Sequence, residues 1–228
     1  MLEARNITKS WQNKAGSPNL VLDHCNLKLK QGQSLGLMGT SGSGKSTLAR
    51  ILLGLASPDI GKIFFDGQPL NSFNRKNWLH FRRRVQFISQ SPECFWEPRF
   101  TVGKSLEEVI KIHSLCRKDE WTIFIDKYLY WVKIRRQLLS RYPHQLSGGE
   151  LQRLSICRSL LLEPQILILD EPVSMLDVSV QAQIMQLLRK LKTEKDMTYL
   201  FISHDRTILQ WFCDETLNLR QGKLFVSE

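Results

Sequence analysis

The sequence predicts an α/β fold: a mostly parallel central sheet with an antiparallel β edge subdomain and a helical subdomain. Three observations carry this. The run Gly39 to Thr47, G-T-S-G-S-G-K-S-T, fits the pattern G-x-x-x-x-G-K-[S/T]. It lies between an apolar run, Leu35 to Met38, and a helix-like run, Leu48 to Leu55, which is the strand, glycine loop, helix order the pattern requires. Ile166 to Leu169 and Thr198 to Ile202 are continuous apolar runs, as expected of strands covered on both faces. Between the strand-like runs lie segments of helical periodicity, and strands alternating with helices predict a mostly parallel sheet.

The elements follow in chain order. Leu2 to Ser10 and Leu20 to Lys30 alternate roughly, as edge strands do, with Asn13 to Asn19 as the loop between them. Gln31-Gly32-Gln33 is a turn signal before the buried strand Ser34 to Met38. Lys62 to Phe65, closed by the Asp66-Gly67 turn, and Val85 to Ser89 read as short strands. Helical periodicity appears at Ser105 to Ser114, with Leu106, Val109 and Ile110. It appears again at Lys118 to Lys133, with Ile123, Ile125, Leu129 and Val132. A long helix is expected over Leu151 to Leu162, and an amphipathic one over Val178 to Lys192. A closing hairpin is expected at Leu217 to Val226, around Gln221-Gly222. The expected organisation is a single domain, 1–228. Residues 1–90 and 162–228 form its catalytic core with the β subdomain, and 91–161 its helical subdomain.

Composition limits the possibilities. With 228 residues and 42% hydrophobic content, the chain is long enough for one large domain. No apolar stretch approaches the roughly 20 residues that cross a bilayer, and Met1-Leu2-Glu3-Ala4-Arg5 leads straight into an alternating pattern rather than a signal peptide. A soluble, cytosolic chain is expected. Five scattered cysteines form no C-x-x-C, so reduced, mostly buried thiols are expected rather than metal or disulfide roles. The net charge is +10 and the pI about 9.5. That balance suits an anionic partner, either nucleic acid, nucleotide or the inner membrane surface. It equally suits a generally basic, solvated surface. The basic clusters are short, Arg82-Arg83-Arg84 and Lys133 to Arg136.

Two constellations point to phosphate chemistry. Gly39, Gly42 and Gly44 let the backbone curl so that successive N–H groups point inward, and the following helix presents its positive end there. Thr40, Ser41, Ser43 and Thr47 complete this cradle for a di- or triphosphate. Lys45 would reach the β- and γ-phosphates and Ser46 would help hold Mg²⁺. Leu167 to Glu171 is an apolar strand ending in two carboxylates, and ligands of parallel sheets sit at the carboxyl ends of strands. Asp170 is assigned to the metal and Glu171 to the base that polarises an attacking water; the plainer alternative is an acidic helix start. Leu146 to Glu150, L-S-G-G-E, precedes a helical run. Ser147 with Glu150 can form a capping box. Equally, Ser147, Gly148 and Gly149 can form a second anion site; composition leaves both open.

The ordered set resembles an ATP-binding-cassette (ABC) ATPase, a P-loop NTPase, over almost the whole chain. Gly39 to Thr47 matches Walker A and Gln90 the Q-loop glutamine. Leu146 to Glu150 matches the signature LSGGQ, with Glu at the last position. Ile166 to Asp170 matches Walker B, and Glu171 the catalytic glutamate. Ser174 to Asp177 matches the D-loop and His204 the switch histidine. Trp11 falls where an aromatic stacks on adenine. The resemblance implies ATP and Mg²⁺ as ligands, with Gln90 also sensing the metal. It implies a head-to-tail pair of cassettes in which Ser147, Gly148, Gly149 and Glu150 of one chain face Walker A of the other, and Asp177 acts across the interface. His204 would hold the γ-phosphate and the attacking water.

Gln90 to Val102, Q-S-P-E-C-F-W-E-P-R-F-T-V, is similar to the longer Q-loop of the oligopeptide, dipeptide and nickel importer ATPases, with Glu97 replacing the usual Asn. Arg141 to Gln145 and Val173 to Ala182 also resemble that branch. The expected partners are a second, non-identical ABC ATPase chain, two integral membrane permease subunits and an extracytoplasmic solute-binding protein, at the cytoplasmic face of the cell membrane. A helical stretch around Phe95 to Phe100 is expected to meet the permease. The chain's brevity and Phe212-Cys213 tilt the cargo towards nickel or metal chelates, with peptides as the alternative. A cassette acting on nucleic acid would carry long coiled coils or a second linked cassette, and neither is in the sequence; no nucleic-acid partner is expected. A cassette with dead catalysis would lack Lys45, Glu171 or His204, and all three are there.

Overall fold

A computed structural model describes residues 1–12 and 16–226. The expected loop at Asn13 to Asn19 lies partly outside these residues. The chain divides into two compact units.

The first unit comprises Met1–Phe87, Gln165–Glu171 and the chain from Lys195 on. Its edge sheet has the order β2-β1-β4-β5, made of β1 (Leu2–Gln12), β2 (Pro18–Leu29), β4 (Ile60–Phe65) and β5 (Gln68–Pro69), with each pairing antiparallel. The second sheet has the order β10-β9-β3-β8-β7-β6. Its strands are β3 (Ser34–Met38), β6 (Val85–Ile88), β7 (Ile166–Asp170), β8 (Thr198–Ile202), β9 (Glu215–Arg220) and β10 (Lys223–Val226). β3 runs parallel to β8 and β9, and β7 parallel to β8, while β10 turns back antiparallel on β9. β3, β7 and β8 are buried along nearly their whole length, which is why their sequences are continuous rather than alternating.

Three helices belong to this unit: α1 (Lys45–Leu52), α2 (Arg75–Arg84) and α7 (Arg206–Phe212). The sequence reading missed α2. Its ten residues, R-K-N-W-L-H-F-R-R-R, offer only Trp78 and Phe81 to the core, too short a stripe to register as periodic. The usable signal was its cap, Asn74, whose side chain accepts from the Asn77 N–H at 2.9 Å. Leu2, Ile7, Leu22, Leu37, Leu48, Leu52, Phe65, Phe81 and Ile168 are among the side chains of one shared core.

The second unit comprises Ile88–Pro164 and Pro172–Glu194. It holds α3 (Val102–His113), α4 (Trp121–Val132), α5 (Gly148–Leu160) and α6 (Val178–Lys195), apart from the last residue of α6. This corrects the expected boundaries, which put 162–228 in the catalytic core. α6 joins the helical unit because it packs on α5: a Cβ on Gly149 would lie 2.6 Å from Val180 Cγ1, and Arg153 donates to Gln183 Oε1 at 2.8 Å. Two local expectations are also corrected. Pro92–Phe95 is one 3₁₀ turn, so Phe95 to Phe100 is not a helix; prolines at 92 and 98 leave no room for one. Among the cysteines only Cys25 and Cys157 are buried, and Cys94 is exposed.

Candidate functional site

The register of three strands gathers the site in the first unit. Leu37 is opposite Ile202 on one side of β8 and Asp170 is opposite Ile202 on the other. The carboxyl ends of β3, β8 and β7 therefore finish level. The residues that follow are Gly39 onward, Ser203-His204 and Glu171.

The loop after β3 curls as its glycines permit. Gly42 and Gly44 have φ of 76° and 106°, values closed to most side chains. Gly44 is the N-cap of α1, no side chain caps that helix start, and its first turn carries no acidic residue. The dipole and N–H groups of α1 are thus left to whatever occupies the loop. A Cβ on Gly42 would meet nothing within 4 Å, so the loop is open on that side. Lys45 is only 9% exposed. Its Nζ folds over the loop and donates to the carbonyls of Gly39 at 2.7 Å and Thr40 at 2.8 Å. Burial lowers its pKa, with Glu171 and Asp170 acting in the opposite sense.

Ser46 Oγ donates to Asp170 Oδ2 at 2.9 Å. Burial pushes the Asp170 carboxyl up, the Ser46 hydrogen bond opposes this, and neighbouring Glu171 adds to the rise. A hydroxyl and a desolvated carboxylate side by side are hard oxygen ligands. They fit Mg²⁺ held mainly by substrate phosphates, rather than by a dedicated protein cage.

Glu171 leaves β7 with a φ of 49°, and its N–H donates to the Ile202 carbonyl at 3.0 Å. Its Oε1 accepts from the His204 backbone N–H at 3.0 Å and lies 2.6 Å from His204 Nδ1. The Glu171 side chain is 12% exposed and that of His204 68%: the carboxylate is held in place while the imidazole remains accessible. Trp11, on β1, is 42% exposed, and its indole N–H donates to Thr47 Oγ1 at 3.4 Å. Lys9 Nζ lies 4.7 Å from the Trp11 ring centre, which leaves one face of the indole for a flat ligand. The sequence reading missed Lys9, although its spacing of two from Trp11 places both on the same face of a strand.

The remaining predicted residues belong to the helical unit. Gln90 is exposed just after β6. Ser147 caps α5. Its Oγ accepts from the Glu150 N–H at 3.3 Å and donates to Glu150 Oε2 at 2.8 Å, while its N–H donates to the same oxygen at 2.9 Å. The capping box is therefore formed. Those bonds, the one from the Ser147 N–H first, hold the Glu150 carboxyl below its usual range. Gly149 is required by Val180, and Gly148 stands 3.3 Å from Leu176 at its absent Cβ. Asp177 caps α6, accepting from Val180 N–H at 3.0 Å and Ser179 Oγ at 2.7 Å. Gln152, absent from the sequence reading, is buried on α5 and donates to the Pro172 carbonyl at 2.8 Å. It thereby fixes the residue that follows Glu171. A polar residue at an apolar position of a helix was its only signal.

No helix among the described residues is long and apolar enough to cross a membrane. A family model described as ABC transporter matches residues 22–174. A Brucella ovis protein, provisionally described as a peptide import ATP-binding protein, is 38% identical over 224 residues, covering 98% of this chain and 70% of its own. The Bacillus subtilis oligopeptide transport ATP-binding protein OppF is 36% identical over 226 residues, covering 98% and 74%. Among solved structures, the cassette MJ0796, dimeric in a post-hydrolysis state with ADP and phosphate, superposes with a TM-score of 0.89 at 28% identity, covering 100% of this chain and 98% of that one. The fold, the level strand ends and these matches lead to one conclusion: the chain belongs to the ABC transporter family, as an ATP-hydrolysing subunit.

Proposed function

We propose that this chain powers peptide import across a membrane by binding and hydrolysing ATP in the loop between β3 and α1. The observation that carries the site is the convergence of Lys45, the Ser46–Asp170 pair and the Glu171–His204 pair at the ends of three adjacent strands. The cargo rests on the relatives named for peptide import and oligopeptide transport. The nickel or metal-chelate cargo tilted to by the sequence has no such support, so peptide is preferred.

In this reading the triphosphate lies on the free N–H groups of the loop and α1. Lys45 exchanges its two carbonyl partners for phosphate oxygens. Ser46 and Asp170 would hold Mg²⁺, which would supply positive charge to offset that of the phosphates. Glu171 orients a water in line with the γ-phosphorus and accepts its proton as the oxygen–phosphorus bond forms and the bond to ADP breaks. His204, already bonded to Glu171, fixes the carboxylate and presents its accessible edge to the γ-phosphate. Trp11 offers its open face to adenine.

The two compact units serve as halves of one cassette spanning 1–228. A second, non-identical cassette presents its own signature helix start to this chain's loop and receives Ser147 to Glu150 in return, with Asp177 at that interface. Gln90 reports on the bound metal to two permease subunits at the cytoplasmic face of the membrane, and a solute-binding protein delivers the peptide. The test is ATP-dependent uptake of labelled peptides by the purified chain reassembled with its membrane partners in proteoliposomes. Uptake abolished by Lys45→Ala is expected. Uptake of nickel chelates without peptides would overturn the cargo, and ATP hydrolysis stimulated by DNA or RNA but not by the permeases would overturn transport.

A further inference from the structure

The helix α2 has no place in the chemistry above, and its composition is one-sided. It carries Arg75, Lys76, Arg82, Arg83 and Arg84 and no acidic residue. Among the described residues, Arg75, Lys76, Arg82 and Arg83 form no ion pair. The two acids before the helix, Asp66 and Asp59, bind the N-terminal ammonium and Lys9 instead. At 3.6 residues per turn, positions 75, 79, 82 and 83 form one stripe, with 76 along its edge. All five side chains are exposed, and the residue at the centre of the stripe is Leu79, 49% exposed.

The opposite face anchors the helix. Trp78 packs edge-on against Phe73 and Phe81, both at 5.7 Å between ring centres, and Phe81 against Phe65 at 5.2 Å. The Arg82 guanidinium lies 5.6 Å from the Trp78 ring. The cations are thus presented by a fixed surface. A rigid basic face around one apolar side chain is the pattern of a helix lying in the headgroup layer of an anionic bilayer.

We propose that the outward face of α2 docks on anionic phospholipid headgroups of the membrane carrying the transporter, with Arg75, Lys76, Arg82 and Arg83 pairing phosphates and Leu79 entering the interface. Charge complementarity carries the argument. The choice of lipid over nucleic acid rests on the membrane reading above and on Leu79, which a phosphodiester backbone would leave without a partner.

The test is co-sedimentation of the purified chain with vesicles of phosphatidylcholine alone, or with about one-third phosphatidylglycerol, at low salt where such attraction is least screened. Binding that needs phosphatidylglycerol is expected. The combined variant R75Q/K76Q/R82Q/R83Q should weaken it by at least about 100-fold. Leu79→Gln should weaken it severalfold, and R75K/R82K/R83K should retain it. ATP hydrolysis by each variant in solution checks folding. Neutralising four exposed lysines elsewhere (Lys28, Lys62, Lys111 and Lys118) should leave binding nearly intact; an equal loss there would mean that net charge alone attracts the chain and would overturn the proposal. So would equal binding to both vesicles, or displacement from them by an RNA homopolymer bound through the same four residues. Because these vesicles hold no permease, a negative result leaves the transport reading untouched.

Discussion

Replacing Gly42 and Gly44 separately by alanine separates what the phosphate loop needs for folding from what it needs for its ligand. Both residues have positive φ, but their surroundings differ. At Gly42, φ is 76° and an added Cβ meets nothing within 4 Å, so only left-handed backbone strain remains, about 1 kcal/mol. At Gly44, φ is 106°, beyond the left-handed well of an L-residue. Its Cβ would also lie 2.9 Å from both Cγ1 and the carbonyl oxygen of Val21, and 3.2 Å from Leu22 Cδ2. Strain plus overpacking there costs about 3 to 5 kcal/mol. For a chain this long, each kcal/mol moves the unfolding midpoint by about 2–4 °C. Thermal unfolding should therefore drop by about 3 °C for Gly42→Ala and by about 6–20 °C for Gly44→Ala. Titration with a fluorescent ATP analogue should invert the emphasis: Gly42→Ala, mild in stability, should lose at least about tenfold in affinity, since its methyl projects into the open side of the loop. Equal drops in midpoint, or full affinity in Gly42→Ala, would refute the reasoning.

Other perturbations probe the rest of the site. Glu171→Gln should bind ATP normally and release phosphate about 10²–10⁴ times more slowly; a native rate in a phosphate-release assay would remove Glu171 from the role of base. Lys45→Ala leaves the carbonyls of Gly39 and Thr40 without their donor and removes the cation, so ATP affinity should fall steeply, and unchanged binding by calorimetry would count against the cradle. Phe95→Ala should impair transport in the assembled complex while sparing ATP hydrolysis by the free chain; unaltered transport would place the permease contact elsewhere. The Glu150 carboxyl is held below its usual range by Ser147, so its share of stability is present above about pH 4.5 and is lost as pH falls through the lowered value. Glu150→Gln should flatten that part of the acid-unfolding curve, and an unchanged acid limb would show that the box adds no stability.

How much of this was legible in the sequence depended on how local each signal was. Gly39 to Thr47 could be read directly because the pattern specifies the backbone: glycines where φ turns positive, a lysine that folds back, a helix at once after. The Asp170-Glu171 pair was legible because a continuous apolar strand ends there, and parallel strands finish on one side. Lys9 beside Trp11 was not, since an alternating edge strand does not distinguish a cation that covers an indole from one that is merely solvated. The extent of the helical unit was missed for another reason. α6 reads as an ordinary amphipathic helix, and it is the approach of Val180 to the missing side chain of Gly149, with 30 residues of chain between them, and the Arg153–Gln183 hydrogen bond that place it with α5.

That same contact changes the meaning of L-S-G-G-E. The glycine-bearing starts of α1 and α5 are built differently. The start of α1 has no capping side chain and no acid, so its dipole and donors wait for an external anion. The start of α5 has a complete internal cap, in which the Ser147 hydroxyl and a charged Glu150 already satisfy each other, and one of its glycines is explained by packing against Val180. An anion reaching α5 must displace a carboxylate bonded to the hydroxyl it needs, and must do so against like charge. Under the proposed pairing of two cassettes this gives an order of events: nucleotide would settle first on α1 of a single chain, and α5 would be recruited only when a second chain brought a phosphate close enough to outcompete Glu150. If isolated α5-side variants such as Ser147→Ala changed the ATP affinity of the lone chain as strongly as Lys45→Ala, that order would be wrong.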